Sequence, residues 1–351
     1  MYRALCAAVV VLTLALGLCA QTEQTLYTFS GYADGGSPSS NLVMDAAGNL
    51  YGTTITGGQY EAGEVYELTP IGNGGWTQTV LYSFTGKADG ANPYYADVIF
   101  DKAGNLYGTT IGGGANHEGV VFELTPTGGG WTETVLYSFA GGTDGANPYA
   151  GLLFDPFGNL YGTTYGGGAN GVGTVFQLRH GSNGHWAEKV IHTFDITTGS
   201  NPVGGLVFDR KGDLFGTTQG GGASSAGVVF ELQYAGNYTW TGEAIHSFTG
   251  GADGGSPYAE RLIFDKSGNL YGTTRYGGIN NAGVVFKMSQ FGSFWGEQTL
   301  YEFNGAVESD PYGGVIMNAN GTLFGTCANG NGTTTFGSIF RLTPSGAGKP
   351  E

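Results

Sequence analysis

A heptapeptide, Gly-Asn-Leu-Tyr-Gly-Thr-Thr, returns along the chain at nearly constant spacing. It begins at Gly48, Gly104, Gly158 and Gly268, and recurs in altered form at Gly212 (GDLFGTT) and Gly321 (GTLFGTC). Successive copies lie 56, 54, 54, 56 and 53 residues apart. A period this regular, with no helical unit inside it, specifies a closed or stacked repeat architecture rather than a string of unrelated domains. Residues that recur in every copy then belong to the scaffold, and function is sought where the copies disagree.

Each unit contains four strand candidates in a fixed order. In the third copy they are Gly151–Phe154, Asn159–Thr164, Gly173–Leu178 and Trp186–Phe194. All are short, rich in aromatic or β-branched residues, and bounded by turn chemistry. The first two are joined by Asp155-Pro-Phe-Gly158, in which the Asp accepts from backbone amides and the Gly takes positive φ. That Asp-x-x-Gly pattern recurs at Asp45, Asp101, Asp209 and Asp265, with Asn318 in the last copy. One role in turn capping accounts for all of them. A Gly-Gly loop joins the second strand to the third, and a GxDGxxP-like loop joins the fourth to the next unit. The Pro of this last loop is Pro38, Pro93, Pro148, Pro202, Pro257 and Pro311.

Four antiparallel strands per unit match one blade of a β-propeller. The sixth copy runs out after Gly337–Leu342, without a fourth strand, while Gln24–Phe29 reads as an orphan fourth strand at the other end. The expected fold is all-β: a closed six-bladed β-propeller over residues 21–342, in which the N-terminal strand completes the last blade. Such a clasp removes the exposed sheet edges of an open array. A β-solenoid is the alternative. Residues 343–351 form a short tail.

The linked submotifs DxxGNLYGTT, GGxxxxGxVFEL, W and LYSF resemble the GloVer-type tandem repeat of bacterial secreted and envelope proteins, over residues 22–342. The resemblance implies a repeat-built protein of the cell exterior and no common activity. Members of this family often end in a sorting or anchoring segment. The closing Pro344–Glu351 does not read as one, so release is the expectation.

Glycine supplies 68 of 351 residues without a collagen-like period, and aromatics at 13% provide ample surface to bury. The formal charge of −15 excludes nucleic acid as a partner, since phosphates demand clustered Lys and Arg. Residues 1–20 read as a secretory signal: Arg3, an apolar run from Ala4 to Leu18, and a cut near Ala20 ahead of polar Gln21–Gln24. A lipoprotein anchored through Cys19 is disfavoured by the bulk of Leu18. No other stretch has the ~20 apolar residues that span a bilayer. The expected location is therefore extracellular or periplasmic, as a monomer without a membrane span. Cleavage leaves Cys327 alone, with no disulfide.

Strand direction places the GxDGxxP loops and the Gly-Gly loops on one face and the Asp turns on the other. On the loop face, the copies differ four residues before the turn Asp: Asn41, Asp97, Gly151, Gly205, Arg261 and Gly314. They differ again after the Thr-Thr pair: Ile55, Ile111, Tyr165, Gln219, Arg275 and Ala328. The candidate ligand-binding residues are thus Asp97, His117, Tyr165, Glu260, Arg261 and Arg275. Two Arg beside aromatics suit an acidic sugar or a carboxylate.

No catalytic residue, metal site or cofactor is expected. No His cluster has metal-ligand spacing, and no loop shows the alternating carboxylates of a calcium site, although its oxygens suit that ion. Gly166–Gly171 matches GxGxxG, but a strand follows and no helix end meets a phosphate. Sialidases need three Arg around the funnel, and only two fall on this face. The leading expectation is a non-catalytic module that binds a glycan or an envelope protein. The alternatives are a carbohydrate-active enzyme using Asp97 and Glu260, and a purely structural scaffold.

Overall fold

The computed structural model describes residues 25–72, 74–181, 184–258, 261–305, 308–328 and 337–344. The signal-peptide reading at 1–20 and Glu260 lie outside them. Six antiparallel sheets follow one another along the chain, one per repeat, in the arrangement of a six-bladed β-propeller, with no α-helix among the described residues. Blade three shows the common plan: Leu153–Phe154, Leu160–Thr164, Thr174–His180 and Trp186–Thr193, paired in that order. Its innermost strand is shorter than expected: Gly151 and Leu152 lie outside the ladder, and Leu152 O accepts from Arg261 instead.

The turn Asp residues cap as expected. Asp155 Oδ1 accepts from the amides of Phe157 and Asn159, both at 2.9 Å, and Oδ2 accepts from Asn159 Nδ2 at 2.6 Å. The Thr-Thr pair divides its work between blades. Thr109 Oγ1 donates to Ala150 O of the next blade at 3.0 Å, while Thr110 Oγ1 donates to Gly112 O of its own Gly-Gly loop at 2.8 Å. Buried hydroxyls satisfied this way stitch the interior without a desolvation penalty.

In each of blades one to five, the register of the outer two strands shifts between a Val and the following aromatic, as at Val175/Phe176. The fourth strand carries the extra residue of this β-bulge, which bends it and re-aims its end toward the neighbouring blade. The bulge explains why LYSF recurs. Phe139 meets Phe176 edge to face at 5.1 Å, and Phe84–Phe122, Phe194–Phe230, Phe248–Phe286 and Phe303–Phe340 repeat the contact at 5.0–5.2 Å. The core is therefore a relay of aromatic junctions, one between each pair of consecutive blades. His192 and His246 stand in for the repeat Tyr and pack on Phe194 and Phe248, both at 4.7 Å.

Among the described residues, blade six has three strands, Val315–Met317, Leu323–Cys327 and Ser338–Leu342, and no fourth follows them, as the sequence predicts. The N-terminal segment behaves toward blade one as a fourth strand would. Phe29 meets Tyr66 at 4.9 Å, and Tyr27 Oη donates to Asp34 at 2.9 Å, as Tyr82 does to Asp89 at 3.0 Å. Leu26, Tyr27 and Phe29 pack on Leu50, Tyr66 and Leu68. Among the described residues, no strand ladder joins this segment to Ser338–Leu342, so only the blade-one half of the expected clasp is present.

Blade one also holds Glu64, fully buried where other copies carry Val, Thr or Ser. Gln78 Nε2 donates to one oxygen at 3.1 Å, and the other has no hydrogen-bond partner. Burial, aided by nearby Asp34, pushes this carboxyl up to about 8. Burial, then Asp89 and Asp144 respectively, pushes Glu133 and Glu188 to about 7. Between pH 6.5 and 8.5 the folded chain thus keeps protons that the unfolded chain has already lost, so stability falls as pH rises. Burial lowers His192 and His246, whose opposite effect acts mainly below their unfolded value of 6.5. The melting temperature should be higher at pH 6.5 than at pH 8.5, and Glu64→Gln should flatten the profile. A profile that is flat or rises over this range in the unmodified chain would refute the assignment.

Candidate functional site: the loop face

The two variable loop sets do share a face. Ala91 and Gly112 exchange backbone hydrogen bonds at 2.8 and 3.0 Å, and equivalent bridges link Ala146 to Gly166, Ser200 to Gly220 and Gly255 to Tyr276. The approach is close enough to require glycine. At Gly113, with φ of 70°, a Cβ would lie 2.5 Å from the Gly90 backbone. Each loop also reaches the preceding blade: Asn92 N donates to Ala62 O at 2.7 Å, and Asn92 Nδ2 donates to Ile55 O at 2.9 Å. The Asn and Ser residues at these corners take positive φ, which Asn tolerates better than most side chains. The face is consequently a rigid frame held between blades.

Its centre is aromatic. The repeat Pro is followed by Tyr94, Tyr149, Tyr258 and Tyr312 in four copies. These rings form a chain across the mouth of the ring. Tyr165 meets Tyr149 at 5.0 Å, Tyr149 meets Tyr94 at 5.4 Å, and Tyr94 meets Tyr95 at 4.4 Å. Tyr95, held at a φ of 50°, reaches Tyr258 of blade five at 5.9 Å, and Tyr258 meets Tyr312 at 5.0 Å. At the blade-five end, the Arg275 guanidinium lies 4.5 Å from the Tyr312 ring centre, 4.6 Å from Tyr276 and 5.5 Å from Tyr258. Its Nε is 3.8 Å from Asp310 and has no hydrogen-bond partner. Burial and the neighbouring phenol of Tyr94 push the Tyr258 hydroxyl up to about 12, against a weaker opposing pull from Arg275. The Tyr258 phenol is therefore a protonated donor at neutral pH.

Two of the sequence-predicted residues, Tyr165 and Arg275, stand at opposite ends of this tyrosine chain and do not touch. Asp97 and Arg261 instead have protein partners. Asp97 accepts from Asn41 N at 2.7 Å and from Asn41 Nδ2 at 3.0 Å. Arg261 Nη2 donates to Leu152 O, two blades away, at 3.0 Å. The glycines of the same variable set make room for these side chains. A Cβ at Gly151 would lie 3.0 Å from Asp97 Cβ, and one at Gly205 would lie 3.2 Å from Arg261 Nε. His117 is exposed in the blade-two loop, with a φ of 62°.

Sequence reasoning missed Tyr94, Tyr95, Tyr149, Tyr258 and Tyr312. The available signal was the Pro-Tyr dipeptide in four loops, set aside because it repeats. No group of three or more His, Cys, Asp or Glu among the described residues is placed to hold a metal ion. No described helix is long and apolar enough to cross a membrane.

A ring of repeat-built blades with its variable loops on one face defines a propeller module. The chain belongs to the Gloeobacter/Verrucomicrobia repeat family, whose model matches residues 11–207, 72–243 and 181–349 in three overlapping passes. Among solved structures, it is similar to a Thermus thermophilus protein provisionally described as an oxidoreductase (glucose dehydrogenase). That match has 15% identity and a TM-score of 0.51, and covers 88% of this chain and 97% of the other. A Bacteroides uniformis protein provisionally described as a 6-phosphogluconolactonase is similar at 13% identity and a TM-score of 0.55, covering 86% and 82%. At these identities the likeness extends to the fold alone. No curated protein matches the chain in sequence.

Proposed function

We propose that this propeller is a secreted, non-catalytic binding module that holds a glycan on the tyrosine chain of its loop face. The observation that carries the reading is the continuous run of half-buried phenols from Tyr165 to Tyr312, ending on Arg275. Flat rings receive the C–H faces of a sugar, and their hydroxyls donate to its oxygens, with little rotamer entropy to lose. Arg261 is tied to a backbone carbonyl and Arg275 lies beside Asp310, so the face suits hydroxyl-rich, uncharged sugars better than acidic ones. The raised phenol of Tyr258 argues against a tyrosinate nucleophile, and Asp97 is engaged by Asn41.

Calorimetric titration against a panel of neutral oligosaccharides tests this directly. A binder should be found whose affinity falls about tenfold or more in Arg275→Ala and in Tyr276→Ala, the size expected for losing an anchoring contact. Unchanged affinity in both variants would place binding elsewhere. Release of a hydrolysed or eliminated sugar product would replace this reading with the enzymatic one.

A further inference from the structure

The opposite face carries a cleft of about 1300 Å³ between blades three and four, at the end where the Asp turns lie. It exceeds the ~300–1,000 Å³ of ordinary small-molecule pockets and suits an extended ligand. Repeat residues such as Asp155, Tyr161 and Trp240 form part of its lining, and the rest comes from positions at which copies three and four depart from the others. Phe157 stands where other turns carry Ala, Lys, Ser or Asn, and it is 90% exposed. Arg179 and His180 replace the Thr-Pro of copies one and two, and Tyr234 replaces the same Pro in copy four. Trp240 and Tyr238 complete an aromatic wall, with Tyr234 and Trp240 in contact at 5.1 Å.

The charge of the cleft runs against that of the molecule. In a chain of net −15, its lining includes Arg179, Arg210 and Lys211 against Asp155 and Asp209. Both carboxylates are occupied by their own turns: Asp155 as described above, and Asp209 Oδ1 by the amides of Lys211 at 2.7 Å and Asp213 at 2.9 Å. The guanidinium of Arg179 lies over Tyr238, 4.3 Å from the ring centre, and its Nε has no hydrogen-bond partner. Gln177 lies among the lining residues, 2% exposed. Its Nε2 donates to Tyr161 Oη at 2.5 Å, which leaves Oε1 buried and unpartnered. In blades one and two the equivalent residues are Glu67 and Glu123, which accept from the repeat Tyr. The exchange of Glu for Gln removes a negative charge from beneath the cleft.

We infer that this cleft binds a carboxylated oligosaccharide, its sugar faces against Phe157, Tyr234 and Trp240 and a carboxylate on Arg179. Arginine matches a planar carboxylate with paired donors, and its stacking on Tyr238 pre-orients the fork. Arg210, anchored by Nη2 to Lys266 O at 3.0 Å, and Lys211 offer a second cationic position along the same groove. Unlike the neutral sugar proposed for the loop face, this ligand is selected by charge.

The test uses the full chain titrated with tetragalacturonate and, as control, with maltotetraose, read by calorimetry and by the change in tryptophan fluorescence that is absent in Trp240→Phe. Saturable binding of the uronate is expected, with the neutral tetrasaccharide at least about tenfold weaker, the scale of a desolvated charge-assisted contact. Arg179→Ala should cost about tenfold or more, and Phe157→Ala roughly three- to tenfold. Phe157 is almost fully exposed, so its variant should melt like the parent and carries the test if Arg179→Ala fails to fold. Absence of uronate binding would overturn the proposal. So would an affinity unchanged in Phe157→Ala, or one lost in Arg275→Ala but kept in Arg179→Ala, which would assign the ligand to the loop face.

Discussion

Phe176→Ala should destabilise the protein by roughly 3–5 kcal/mol, the range for removing a fully buried aromatic side chain. Phe176 has no exposed surface, lies edge to face with Phe139, and sits over Gly162, where a Cβ would come 2.5 Å from its Cζ. Truncation therefore opens a cavity at the junction of blades two and three, among Val121, Leu152, Leu160 and Leu178. Gly162 provides the internal check. Gly162→Ala alone should also destabilise, because its methyl has no space beneath the ring. Combined with Phe176→Ala, the same methyl enters the vacated volume, so the double variant should be more stable than the sum of the two losses predicts. Chemical denaturation of the four proteins measures the coupling. Strict additivity would show that ring and glycine do not share that space.

A chain that begins at Ser30 should melt roughly 5–10 °C lower than the parent. Thr25–Phe29 covers Leu50, Tyr66 and Leu68 with the side chains of Leu26, Tyr27 and Phe29. Each apolar side chain returned to water costs up to about 1.5–3 kcal/mol, less for these partly buried ones, and a domain of this size loses a few degrees per kcal/mol. Hydrogen exchange locates the effect. If the segment also completes blade six, amides of Ser338–Leu342 should exchange faster in the truncated chain, together with those of Glu64–Ile71. Faster exchange in blade one alone would mean that the ring is not clasped by this segment, and an unchanged melting temperature would remove the clasp altogether.

The blades were legible because their determinants are local. Asp155, Gly158 and the alternating strand residues act within a few positions of one another, and six copies repeat the message. The loop face was legible for the same reason, since strand direction alone assigns it. Contacts across the ring were not legible. Arg261 and Leu152 are 109 positions apart, and nothing near either residue names the other. Discounting what repeats also had a cost. It discarded the tyrosines after Pro93, Pro148, Pro257 and Pro311, which are both scaffold and surface. Variable positions were sought on one face only, so Phe157 and Arg179 were passed over although they break the repeat as clearly as Arg275 does.

The contact between Thr25–Phe29 and blade one also sets an order of events. Its two halves are neighbours in the chain, so it forms after little loop closure and can be in place while later blades are still being made. Blade six is the reverse case. Its strand Ser338–Leu342 emerges after every other described strand, and its distance from a partner in Thr25–Phe29 is more than ~300 residues, a costly closure. Each intermediate blade docks on the one before it, so the growing edge moves along the chain. The unpaired edge that persists longest is at the final blade, and aggregation during folding should begin there rather than at the first.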